Sequence, residues 1–223
     1  MSVTKPRVSL PQFIIDCPQG AIAEWVDGEV VEHAPPVTRH QQVAHFLSVL
    51  LTLFAELTEA GLVLVAPYLM LLSPDGPARE PDVLCVSRDH AARVLPDRLD
   101  GPADLVIEVI SDDSARRDRS DKFDEYQKHG VREYWMIDAR AGREREDFWV
   151  LDGQGRYQPG GRRQDGAFVS TVLPGFWLQP DWLRRHPLPG ALATFAEIVG
   201  PQALGRVLGA GGPAPSSRNG DSG

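Results

Sequence analysis

Residues 104–110 read Asp104-Leu-Val-Ile-Glu-Val-Ile110, DLVIEVI. In an extended chain Leu105, Ile107 and Val109 project to one face, while Val106, Glu108 and Ile110 project to the other. A strand apolar on both faces is normally central and covered on both sides. Glu108 is the exception, and burying it without a partner costs roughly 1–3 kcal/mol even for a neutral polar group, and more for a charge. The rest of the chain must therefore supply that partner.

Working downstream, a Ser/Asp region after Ile110 leads to Lys122-Phe-Asp-Glu-Tyr-Gln-Lys-His-Gly130. Phe123 and Tyr126 share a helical face, and Gly130 is a natural helix stop. The chain then returns as EYWMID, 133–138. Strand 104–110, a helix over 117–129 and strand 133–138 form a β-α-β unit, which crosses right-handed between parallel strands. DFWVLD (147–152) and the region around AFVSTV (167–172) read as added antiparallel strands.

Upstream, LVLVAPYLMLL (62–72) and PDVLCVS (81–87) read as two strands separated by the turn SPDGP, with a looser segment over 88–103. IAEWVDGEVVEH (22–33) reads as a β-hairpin turning at Asp27-Gly28. Thr38-Arg-His-Gln41 has the form of a capping box, and Val43, Phe46, Leu47, Leu50, Phe54 and Leu57 follow at helical spacing. That predicts the longest helix, over 38–60. The organisation expected is one domain over 1–190, a short helical appendage over 191–209 and a disordered tail over 210–223, where Gly, Pro and Ser dominate.

The 223 residues are 42% apolar and 24% charged, enough for a sizeable core and against wholesale disorder. The net charge of -8 argues against a surface that coats DNA non-specifically, since such binding comes from Lys and Arg neutralising phosphate. A local basic cleft is still compatible with it. Neither a secretory leader nor an apolar run of membrane-span length is present, so the expected location is cytoplasmic. Cys17 and Cys85 are the two cysteines and form no zinc motif; Cys85 inside VLCVS reads as a small apolar residue.

Pro81-Asp82 opens one strand and Glu108 lies in the next clear one. Two carboxylates on adjacent strands suit a magnesium ion, which takes oxygen ligands and keeps several waters. Hydrolysis of a phosphate ester also needs a group that holds water and stabilises charge developing on the phosphate. Lys122, on the helix after Glu108, is placed to reach back over the strand end, with Tyr126 one turn on.

Taken together, Pro81-Asp82, Asp104-Leu-Val-Ile-Glu108-Val-Ile-Ser111, Lys122-x-x-x-Tyr126 and Gly130-Val-Arg-Glu-Tyr-Trp-Met-Ile-Asp138 resemble the Uma-type restriction endonuclease family of the PD-(D/E)XK nuclease superfamily. The likeness spans about residues 13–182, including Ala23-Glu24-Trp-Val-Asp-Gly28-Glu and Leu173-Pro-Gly175. It implies an α/β (α+β) restriction-endonuclease-like core, a mixed central sheet flanked by helices. It also implies a nuclease dependent on magnesium or manganese that acts on DNA, with Asp82, Glu108 and the Val109 carbonyl as metal ligands, Lys122 as catalytic lysine and Glu24 as auxiliary acid. Homodimers are common among duplex-cutting enzymes, although no interface stripe is identifiable here.

Two features depart from the pattern. Where the wider superfamily keeps a lysine two residues after the second acid, this chain has Ile110, so the role passes to Lys122. Where family members commonly continue Pro-Ser-Thr, it has Asp112-Asp113-Ser114, for which helix capping is the simplest use. The competing reading is a nuclease-fold binding module without turnover, in which Glu108 and Lys122 form a buried salt bridge and nothing more. His40, on the apolar side of its helix, reads as a structural histidine, and Arg116, Arg117 and Arg119 as the bases nearest a phosphate path.

Overall fold

The structure, a computed structural model, describes residues 7–16, 23–32, 37–112 and 118–210. In chain order its elements are α1 (Leu10–Asp16), β1 (Ala23–Val26), β2 (Glu29–Glu32), α2 (Thr38–Thr58), β3 (Gly61–Val65), β4 (Leu69–Leu71), β5 (Ala78–Arg79) and β6 (Val83–Ser87). A 3-10 helix (Arg88–Arg93), β7 (Arg98–Asp100), β8 (Leu105–Ile110), α3 (Asp121–His129), β9 (Glu133–Asp138) and β10 (Arg145–Leu151) follow. The chain continues through β11 (Tyr157–Pro159), β12 (Phe168–Val169), β13 (Trp177–Leu178), α4 (Pro180–Arg184) and α5 (Ala191–Ala210).

DLVIEVI lies at the centre, as its two apolar faces require. β8 sits between β6 and β9 in a six-stranded sheet ordered β11-β10-β9-β8-β6-β3. It runs parallel to β9, Glu108 opposite Met136, and antiparallel to β6. The sheet is therefore mixed, with antiparallel strands added on both sides of the β8-α3-β9 crossover. Leu105, Ile107 and Val109 enter a core shared with Val43, Leu47, Leu50 and Phe54 of α2. Val106 and Ile110 enter a second core with Tyr126 of α3, Tyr134, and Met70 and Leu99 from outside the sheet.

A second sheet, β2-β1-β5-β4-β7, lies beside the first. The hairpin read from Asp27-Gly28 forms its outer pair, with Asp27 at φ 47° and Gly28 at φ 90°. The run 62–72 is not one strand. Pro67 has no N–H to extend a ladder, and the chain divides there into β3 on the first sheet and β4 on the second. The looser segment 88–103 contains the 3-10 helix and β7, which pairs parallel to β4.

The capping box at Thr38 does not form: Val37 holds the N-cap position and no side chain caps it, while the Gln41 N–H donates to the Val37 carbonyl. Over 191–209 the chain is helical with a break at Gly200, φ 77°, before Pro201. Phe195 and Ile198 of α5 are buried in the core that α2 shares with the central sheet. Cys85 is buried and unpaired. Of the tail expected over 210–223, Ala210 ends α5 and residues 211–223 lie outside the described residues, as do Cys17 and Asp113-Ser114. No helix among the described residues is long and apolar enough to cross a membrane.

Candidate active site

Antiparallel pairing of Val83 with Ile107 sets Asp82, just before β6, across from Glu108. The Val109 N–H donates to Asp82 Oδ2 at 2.7 Å, fixing that carboxylate at the edge of β8. Glu108 faces α3, where Lys122 and Tyr126, one turn apart, both reach it. Lys122 Nζ lies 2.8 Å from Glu108 Oε1, and the Tyr126 hydroxyl donates to the same oxygen at 2.8 Å.

Lys122 holds two more carboxylates. Glu24 Oε1, brought from β1 of the second sheet, is 2.9 Å from its nitrogen, and Asp118 Oδ1, one helical turn back, is 3.4 Å away. The ammonium, Glu24, Glu108 and Asp118 are all buried, none more than 4% exposed. At 3.4 Å the Asp118 contact is an ion pair without a hydrogen bond; both Asp118 oxygens are buried and none of the described residues donates to them.

A second layer braces Glu24. Arg79 Nη1 is 2.9 Å from Glu24 Oε2, and the same guanidinium grips Glu125 of α3 with Nε and Nη2 at 2.8 Å each, the bidentate fork that a lysine cannot reproduce. The Glu80 N–H donates to Glu24 Oε1 at 3.3 Å, while the Glu80 side chain accepts the Ala23 N–H at 2.9 Å. On the α2 side, His40 Nε2 lies 3.1 Å from Asp82 Oδ2.

The electrostatics follow from burial and from crowding of like charges. Burial alone would lower Lys122, yet Glu108, Glu24 and Asp118 outweigh it and hold the ammonium protonated well above the usual range. Burial pushes the Glu108 carboxyl up to about 8; Lys122 opposes this, while Asp118, Asp82 and Glu24 add to it. Burial likewise takes Glu80 up to about 7, against the hydrogen bond from Ala23 and with the repulsion of Glu24. Tyr126 is held protonated by burial and by Glu108 and Glu24, so its hydroxyl is a donor.

Among the residues singled out by sequence, Glu108, Lys122 and Glu24 meet around one ammonium, with Asp82 beside them through the Val109 amide. Burial lowers His40, but Asp82 and the Val109 backbone outweigh it and raise the imidazole above its usual value. Arg119 is not open to a phosphate: it pairs with Asp138 at 3.2 Å and Asp147 at 3.0 Å. Asp112 is exposed and pairs with Arg140 at 2.7 Å, whereas Arg116 and Arg117 lie outside the described residues. Sequence reading passed over Arg79, Glu80, Asp118 and the position of His40. Arg79 and Glu80 directly precede Pro81-Asp82, and Asp118 stands four residues before Lys122; those offsets were the available signal.

The fold is a mixed α/β architecture, with mixed sheets flanked by helices. The crystal structure of a protein titled a putative nuclease belonging to DUF820, from Anabaena variabilis ATCC 29413, superposes with TM-score 0.63 at 15% identity, covering 79% of this chain and 97% of that one. The family model Uma2, described as "Putative restriction endonuclease", matches residues 10–181, and the chain belongs to that family. No curated protein matches it.

Proposed function

We propose that the protein is a metal-dependent endonuclease that hydrolyses phosphodiester bonds of DNA, with its lysine on the helix after the glutamate strand. The observation that carries this reading is the direction of Lys122: its ammonium is buried against Glu108 and Glu24 instead of pointing to solvent as an ordinary helix-surface lysine would.

The residues present fit a hard divalent cation. Asp82, Glu108 and the Val109 carbonyl offer oxygen donors, and carboxylates outnumber bases in the cluster, with none of the described residues donating to the Asp118 oxygens. Among the described residues no three His, Cys, Asp or Glu side chains converge as a closed metal cluster. A site of two carboxylates and a carbonyl, completed by waters, is what magnesium or manganese accepts. Such a cation would polarise the scissile phosphate and lower the pKa of water.

Lys122 has three N–H donors. Glu108 and Glu24 take two at short range, and the third faces Asp118 at a longer 3.4 Å. That third donor is the one available to a water or a phosphate oxygen. Because its neighbours hold the ammonium charged, Lys122 acts by donating a hydrogen bond and by stabilising negative charge, and not as the base. Glu24, pinned by Arg79 from behind, keeps that ammonium in place.

The test is cleavage of linear, nicked and single-stranded DNA, and of RNA, with magnesium and with manganese. Lys122→Ala and Glu108→Ala should each reduce DNA cleavage by about 100-fold or more, the scale of losing one group that stabilises developing charge. Wild-type cleavage no faster than these variants on every substrate overturns the reading. One observation favours the module without turnover: the carboxylates already saturate most of the lysine's donors.

A further inference from the structure

The turn between β9 and β10 brings two arginines onto one carboxylate oxygen. Residues 140–143 close on a hydrogen bond from the Arg143 N–H to the Arg140 carbonyl at 3.0 Å, with Gly142 at φ 75° where a tight turn needs a positive φ. Arg140 is held from behind: its Nε and Nη2 donate to the two oxygens of Asp138, a buried carboxylate at the end of β9, at 2.8 and 2.7 Å. That grip leaves Nη1 to project outward, where it donates to Asp112 Oδ1 at 2.7 Å. Arg143 Nη1 approaches the same oxygen at 3.7 Å.

Asp112 does little for the fold. Its side chain is 83% exposed, and it does not cap α3, whose N-cap position is held by Ser120. An ion pair made by so exposed a carboxylate adds little stability. What Asp112 does is fill, with one oxygen, a gap between two guanidiniums of the kind in which arginines take a phosphate. Arg119 and Arg145, by contrast, are spent on Asp138 and Asp147. In this network four arginines meet three aspartates, so withdrawing Asp112 takes the local charge from +1 to +2 in a chain of net charge -8. The gap also lies on the face of the sheet that carries Glu108: Asp138 pairs with Ile110 in the β8–β9 register, one strand across and two residues on from Glu108, about 8 Å away by strand geometry.

We propose that the Arg140–Arg143 turn is a clamp for a backbone phosphate of the DNA, and that Asp112 is a built-in competitor that occupies the clamp in the free protein. A phosphodiester carries the same single charge as Asp112 but spreads it over two oxygens, one for each guanidinium, and so displaces it. This rests on the DNA-acting reading above, and it adds to the site a positioning contact and a brake on binding.

The test reads binding apart from turnover. Wild type, Asp112→Asn, Arg140→Gln, Arg143→Gln and the control Asp181→Asn are each checked for a folded circular dichroism spectrum. Asp181 is an exposed carboxylate that also pairs with an arginine, Arg184, outside this network. Affinity for a short fluorescein-labelled DNA duplex is followed by anisotropy over a range of salt concentrations with chelator present, and cleavage is assayed separately with magnesium and with manganese. Asp112→Asn should tighten binding by about 3- to 10-fold, while each arginine variant should weaken it by about as much and make the salt dependence shallower by about one phosphate contact. Arg143 is exposed and bears no part of the core, so its variant reads the clamp even if Arg140→Gln fails to fold. Arg143→Gln with wild-type affinity and salt dependence, or a gain in Asp112→Asn no larger than in Asp181→Asn, overturns the clamp, and wild-type cleavage then leaves the endonuclease reading standing. The expected pattern of binding without cleavage keeps the clamp and overturns catalysis. Folded wild type that neither binds nor cleaves DNA overturns both.

Discussion

Glu108 is a carboxylate in a core strand, with two donors gathered on its Oε1. Removing either donor should expose how much of that arrangement is held by desolvated charge. Tyr126→Phe keeps the ring packed edge-on against Tyr134 at 5.0 Å but deletes the hydrogen bond. It should cost about 1–3 kcal/mol in urea unfolding, the range for leaving a buried polar group without its partner. Lys122→Met leaves several carboxylates facing one another and should cost more, about 3–5 kcal/mol, because it strands buried charge instead of removing a pair together. At this scale the sequence made Asp82, Glu108 and Lys122 legible, since each sits at a strand start, a strand interior or a helix turn whose direction periodicity gives. His40, Arg79 and Asp118 were not legible in the same way. Periodicity says which side of its own helix His40 occupies, and only the assembled fold says that Asp82 lies opposite.

At the scale of elements, β8 announces itself because both its faces are apolar, and the Asp27-Gly28 hairpin because its turn demands positive φ. β4, β5 and β7 have three residues or fewer, too short to show an alternation, so the part of the second sheet beyond that hairpin leaves no pattern and the run 62–72 reads as continuous. The entry to β8 is fixed by Asp104, a buried carboxylate that accepts the Ser87 N–H at 2.7 Å and meets His90 Nδ1 at 2.9 Å. Burial would raise this carboxyl, but the Ser87 amide and His90 prevail and hold it below the usual range. A depressed carboxyl stabilises the fold above its unfolded pKa, about 3.9, and that contribution is lost as pH falls through the folded value. The stability gap between wild type and Asp104→Asn should therefore be widest near neutrality and shrink as pH drops from about 5 towards 3 in urea titrations.

For the whole molecule, two sheets and two helices meet at the site. Glu24 arrives from one sheet, Asp82 and Glu108 belong to the other, and Lys122 and His40 come from helices packed on the two sides of β8. Residues 191–210 contribute to this body through Phe195 and Ile198. Phe195→Ala should lower stability by about 3–5 kcal/mol, and a chain ending at residue 190 should show a clearly reduced melting temperature in calorimetry. Ile110 sets a limit on the strand itself. It is 2% exposed and packed among Val106, Tyr126 and Tyr134, so a lysine placed there would bury an ammonium in an apolar cluster. Position 110 is closed to charge by the core it completes, and β8 therefore presents one ionisable side chain, Glu108, where its outline would have room for two.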